Sequence, residues 1–171
     1  MIHLSYHPAF DAFHAIFRIL RVRLRTDAAE IEVDKLRILD YYVLFPWRAA
    51  SIRLNKRDVS MRKTARSLEA RRDYATLPTG DALLERMRPS QTAALQTMAQ
   101  DGFVTTDALR NGIVRFREAS LPGELDERLR QKNDADGDVL SIVDVLSGYP
   151  LLGPDGLKAR TGLLEHRYDK I

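Results

Sequence analysis

The chain has 171 residues, 44% hydrophobic and 30% charged, with a formal net charge of +3. That suits a globular protein able to bury a core, as one domain or a domain with an appendage. It has no cysteine, which excludes disulfides, thiolate zinc sites and cysteine nucleophiles. No apolar run reaches the roughly 18 residues of a membrane span, and the start lacks a signal-peptide pattern, so the cytoplasm is the expected compartment.

A first helix is expected from about Pro8 to Leu24, with proline in its first turn. Phe10, Phe13, Phe17 and Leu20 recur at three- and four-residue steps and form one stripe. The stripe reads as core or, if exposed, as a partner-binding or dimer face. Arg18, Arg21, Arg23 and Arg25 lie toward the C-terminal end, where the helix dipole favours cations.

Ile31 and Val33 alternate with Glu30, Glu32 and Asp34, a short extended lead-in to a second helix. Leu36, Ile38, Leu39, Tyr42, Val43 and Phe45 leave that helix almost no polar side, which places it centrally, and Pro46 ends it. Asp40 sits inside it, and a buried carboxylate must be paired or protonated. An ion pair with an arginine is expected before a catalytic role, and Arg37 is a candidate unless it points to solvent.

A short helix over Trp47 to Leu54 comes next, then one capped by Asp58 or Ser60 and running to about Tyr74, with Met61, Ala65 and Leu68 as a thin apolar stripe. From Arg48 to Arg72 there are nine basic residues, opposed only by Asp58 and Glu69. Such an excess suits phosphate or an acidic protein surface equally. Arg62, Lys63, Arg66 and, a little off this line, Arg71 can approach a common helical face, and Trp47 beside them can stack on a base or anchor an interface.

Pro78-Thr79-Gly80 reads as a turn, Asp81 to Met87 as helix, and Ser90 as the N-cap of a helix over Gln91 to Gln100 that Asp101-Gly102 ends. Thr105 or Thr106 caps a short helix through Leu109, Asn111-Gly112 turns, and Ile113 to Phe116 reads as a strand. This order is compatible with a winged helix-turn-helix and a short β wing. Leu121-Pro122-Gly123 breaks the chain before a polar helix over Glu124 to Gln131, a loop over Asn133 to Gly137, and an amphipathic helix over Asp138 to Leu146. Gly153 to Ile171 is a weakly patterned tail. The expected fold is mainly α. It is one compact helical domain, 1–171, with an N-terminal helical part (1–78), a winged-helix candidate (79–120) and a C-terminal helical part with its tail (121–171).

Two constellations invite a metal, and neither is compelling. His7, Asp11 and His14 can share a helix edge, but a helix start with Asp11 favoured by the dipole explains them more simply. Asp134-Ala135-Asp136-Gly137-Asp138 resembles the front of a calcium loop. It has Val139 where that loop needs glycine and Val145 where it needs glutamate, so a solvated turn capping the next helix is expected. There is no glycine-rich phosphate loop and no nucleophile elbow. No catalytic residue, metal or cofactor is therefore expected.

The opening Tyr6-His7-Pro8-Ala9-Phe10-Asp11-Ala12-Phe13-His14-Ala15-Ile16-Phe17-Arg18 resembles the start of a middle component of bacterial ABC-three-component systems. Leu36-Arg37-Ile38-Leu39-Asp40-Tyr41-Tyr42-Val43-Leu44-Phe45-Pro46 is similar to the leucine-aspartate-aromatic and phenylalanine-proline run of such proteins, and Pro89 to Thr105 resembles their following helical part. These systems encode an SMC-like or Rad50-like ABC ATPase with a small middle component and an effector, often a nuclease. They are implicated in defence against phage or plasmids, as in Lamassu-type complexes.

The resemblance implies a non-enzymatic adaptor between ATPase and effector that helps the complex grip DNA, and the lack of a long apolar run predicts no membrane partner. Phe10, Phe13, Phe17, Tyr41, Tyr42 and Trp47 are the candidate partner-binding residues. Arg53, Lys56, Arg57, Arg62, Lys63 and Arg66 are the candidate nucleic-acid-binding residues. The competing expectation is a winged-helix DNA-binding regulator using Ser90 to Arg110, although its recognition segment, Thr106 to Arg110, brings only one arginine. An enzyme with a scattered active site is the weakest reading.

Overall fold

The computed structural model describes residues 7–72 and 75–165. Its first helix starts in two stages. Pro8–Phe10 form a 3-10 turn, Asp11 returns to extended backbone, and its Oδ1 accepts the His14 N–H at 2.9 Å. That cap opens α1 (Ala12–Thr26), later than the expected start at Pro8, and left-handed Asp27 closes it.

The buried line of α1 is Ala15, Ile19 and Val22, joined by Leu20 and two arginines, Arg18 and Arg21. Reading the whole aromatic stripe as core is corrected here: Phe13 is 79% exposed and Phe10 36%. Only Leu20 of that stripe is buried, and Phe17 packs partly against the core.

Strand β1 (Glu30–Glu32) leads into α2 (Val33–Leu44), whose Leu36, Ile38, Leu39, Asp40, Tyr41, Tyr42 and Val43 are all buried. Pro46–Ser51 form a 3-10 turn where a helix to Leu54 was expected. A second such turn, Lys56–Asp58, precedes α3 (Met61–Ser67), which tightens into 3-10 geometry over Leu68–Arg71. Met61, Ala65 and Leu68 are its buried stripe, as their spacing predicts. Ser60 gives no side-chain cap, and Tyr74, the expected helix end, lies outside the described residues.

Helix α4 (Gly80–Gln100) runs unbroken through Pro89, where the sequence suggested two helices. Proline removes one backbone bond, but Leu83, Leu84 and Met87 before it and Ala94, Leu95 and Met98 after it sit in one core. Ser90 is therefore not an N-cap. Its buried hydroxyl lies 2.8 Å from the Met87 carbonyl and 3.0 Å from the Ala9 carbonyl.

Gly102, at φ +82°, turns the chain toward α5 (Thr106–Arg110) and β2 (Ile113–Arg115). The expected helix, turn, short helix and strand are all present. However, β2 pairs antiparallel with β1 (Glu30 with Arg115, Ile31 with Val114, Glu32 with Ile113), rather than with a neighbouring strand of a hairpin wing.

Helix α6 (Gly123–Ala135) and α7 (Gly137–Ser147) are separated by Asp136 alone, so the expected loop over Asn133 to Gly137 is almost entirely helical. The presumed tail is packed as well. It carries α8 (Leu157–Thr161), and Leu157, Leu163 and Leu164 are buried. Its last residues, from His166, lie outside the described part. No helix among the described residues is long and apolar enough to cross a membrane.

Helix α1 is the hub, packing against α2, α4, α6 and α7. Three of its arginines each take an aspartate from another part of the fold: Arg18 takes Asp40, Arg21 takes Asp136 and Arg25 takes Asp144.

Candidate partner groove and basic surface

The outward side of α1 borders a groove of about 540 Å³. Pro8, Phe13, His14 and Phe17 line one wall, Val43 and Leu44 of α2 the other, and Lys132 and Asp136 close one end. Behind it, Arg18 donates from Nε to Asp40 Oδ1 at 2.5 Å, from Nη2 to Oδ2 at 3.2 Å, and from Nη1 to the Pro8 carbonyl at 3.0 Å. Gln91 Nε2 adds a bond to Asp40 Oδ2 at 2.7 Å. The arginine expected for Asp40 exists, and it is Arg18. Arg37 instead donates to Thr92 Oγ1 at 3.1 Å and lies 3.6 Å from Asp34. Burial first, and nearby Arg88 second, lower its pKa.

Asp136 ends the groove as the anion of a four-residue cluster. Arg21 Nη2 is 2.8 Å away, Arg71 Nη1 3.0 Å and Lys132 Nζ 3.1 Å. Burial pushes its carboxyl pKa up, but the Lys132 bond, then the Arg21 and Lys132 charges and the Arg71 bond, outweigh that and hold it below the ordinary 3.8. The Arg21 guanidinium is lowered, by burial foremost and by Arg18 and Arg71 as well, although Asp136 opposes the shift. Asp136 is thus bonded to cations from three directions. Asp11 caps α1, and His7 Nδ1 accepts the Ala9 N–H at 3.1 Å, which gives two members of the proposed histidine edge structural work.

The candidate partner-binding aromatics divide. Phe10 and Phe13 face outward, with the Arg86 guanidinium 5.0 Å from the Phe10 ring centroid. Phe17 lines the groove. Tyr41 and Tyr42 correct the expectation: they are 2% and 3% exposed, so neither offers a face to a partner. Their positions on an all-apolar helix bury them edge to face at 5.0 Å, and Tyr41 Oη accepts from Arg48 at 2.9 Å. Burial raises the Tyr42 pKa, with Tyr41 adding to the shift. Trp47 is half-buried, packed edge-on to Phe45 at 5.8 Å.

The candidate basic residues also divide. Arg62 is half-buried and donates to the Ala50 and Ile52 carbonyls at 3.2 and 3.3 Å, so it braces the preceding turn and is not offered to a phosphate. Exposed Arg53 pairs with Asp155 at 3.3 Å, and exposed Arg57 lies 3.5 Å from Asp58. Lys56, Lys63 and Arg66 are exposed and make no ion pair among the described residues. A wider groove of about 750 Å³ lies between α2, α4 and α5, lined by Val33, Arg37, Leu95 and Arg110 among others, without an aromatic side chain.

Sequence reasoning missed Arg21, Lys132 and Asp136 as a cluster. Only the density of arginines on α1 hinted that carboxylates would be brought to it.

The family model for ABC-three component (ABC-3C) system Middle Component 5 matches this chain over residues 4–169. Neither the curated proteins nor the solved structures contain a match to it.

Proposed function

Because this chain belongs to the ABC-three-component system middle component 5 family, we propose that it is a non-enzymatic adaptor in a defence complex against phage or plasmids. It joins an SMC-like or Rad50-like ABC ATPase to an effector, often a nuclease. One observation carries the reading: Phe13, in an ordered helix and beside an apolar groove, is left facing water. An exposed apolar patch of this kind marks a surface that another protein completes. The carboxylate behind the groove and the one lining it support a role without chemistry. Asp40 is bonded to Arg18 and Gln91, and Asp136 to three cations. Lys56, Lys63 and Arg66 supply phosphate contacts when the assembled complex meets DNA.

The alternative, a winged-helix regulator that binds DNA alone, would use α5 as its reading element. That helix has five residues and one arginine, Arg110, which favours the adaptor. A tagged copy purified from the native host tests the choice. Recovery of the ATPase and effector in fixed ratio is the expected result. Recovery of the chain alone, or with DNA only, overturns the adaptor reading.

A further inference from the structure

We propose that the groove between α1 and α2 seats an amphipathic helix of a partner protein, apolar on its inner face and acidic at the end that meets Lys132. This rests on the adaptor reading and specifies the chemistry of the surface to be met.

The apolar half follows from the walls. Phe13 and Phe17 stand one helical turn apart on α1, opposite Val43 and Leu44, so the groove offers rows of side chains to a facing ridge. The acidic half follows from the charge at the closed end. Arg21, Arg71 and Lys132 converge on one carboxylate, Asp136, which leaves a local excess of two positive charges. The side chains of Arg71 and Lys132 are 48% and 51% exposed, whereas that of Asp136 is 10% exposed, so the excess faces outward. Arg86, over the Phe10 ring, adds another cation beside the aromatic face. An acidic residue docking there meets cations that their own aspartate only partly neutralises, and like-charged partners are repelled.

The test uses the full chain with the purified ATPase and the purified effector encoded with it, measuring Kd against each by titration. Phe13→Ala is expected to weaken binding to one of them about tenfold or more. Lys132→Gln is expected to weaken it about threefold or more and to flatten its salt dependence. Phe13 is exposed, so an unchanged melting temperature verifies the fold of that variant; Lys132 also bonds Asp136, so an unchanged circular dichroism spectrum verifies the fold of the second. Hydrogen exchange on that partner is expected to show new protection in an acidic amphipathic helix. Tight binding that neither substitution alters overturns the groove and leaves the adaptor standing. Binding to neither protein overturns the adaptor itself. A homodimer in solution that Phe13→Ala dissolves also overturns the proposal, because a second copy then fills the groove.

Discussion

Replacing Asp40 with asparagine probes how α1 is seated. The carboxylate is fully buried and accepts from Arg18 Nε at 2.5 Å, Arg18 Nη2 at 3.2 Å and Gln91 Nε2 at 2.7 Å. Asparagine keeps the shape but offers one acceptor oxygen, so a donor is left facing a donor. Gln91 does not make good the loss. Turning its amide over would present the unbonded Oε1 to the new Nδ2, but would break the 3.3 Å bond from Nε2 to the Arg37 carbonyl. What remains is a guanidinium, 5% exposed, with no counter-charge. Removing one partner of a buried pair costs about 3–5 kcal/mol, and exchanging one Gln91 bond for another returns little, so Asp40→Asn should cost about 3–5 kcal/mol. In a chain of this size that lowers the melting temperature by about 6–20 °C. Chemical denaturation followed by circular dichroism, with calorimetry alongside, measures both. A loss under about 1 kcal/mol would refute the view that the Arg18–Asp40 pair is dry and structurally committed.

Four further outcomes are expected. Because Asp136 is held below its ordinary pKa in the folded state, its contribution is complete above 3.8 and is lost as pH falls through the lower folded value. Asp136→Asn should therefore flatten the fall in denaturation midpoint between about pH 5 and pH 2. Ser90→Ala removes the hydroxyl beside the buried Ala9 carbonyl and should cost about 1–3 kcal/mol in urea melts. Arg62→Gln should destabilise by a similar amount, about 1–3 kcal/mol, because two carbonyls lose their donor. The pair Lys63→Gln and Arg66→Gln should leave the melting temperature within about 1 °C of the parent, since surface changes cost little. In the assembled complex that pair should reduce the salt dependence of DNA binding by a slope of up to about 2, and an unchanged slope would remove these residues from the DNA contact.

Elements with a clean apolar period were legible in the sequence: α2, the Met61, Ala65 and Leu68 stripe, the Gly102 and Gly112 turns, and the strand after them. The family was legible too, through the two apolar segments that open the chain. The misreadings share a cause. On α1 the buried face mixes Ile19, Leu20 and Val22 with Ala15, Arg18 and Arg21, and the two arginines do not register in an apolar pattern, whereas the exposed phenylalanines do. Pro89 reads locally as a stop, yet the residues on both its sides are needed by one core. The segment over Asn133 to Gly137 is polar enough for a loop, yet Asn133 accepts from Arg21 Nε at 2.9 Å and Asp136 pairs with cations from distant positions. Polar residues that look solvated one at a time become interior when their partners arrive from elsewhere, and local patterning cannot encode those partners. The same holds for the groove, whose two walls lie on different helices.

The three arginine–aspartate pairs of α1 bear on its register. Apolar ridges alone let a helix slide or roll among nearly equivalent seats, because dispersion contacts are interchangeable. Arg18, Arg21 and Arg25 reach Asp40 on α2, Asp136 at the joint of α6 and α7, and Asp144 on α7. A slip of one turn, about 5.4 Å, would part all three pairs together and strand the two dry guanidiniums. The helix therefore works as a three-toothed key with one azimuth and one depth. Phe13, on its outer side, is aimed in a fixed direction before any other protein arrives, so that alignment adds nothing to the entropy lost on contact.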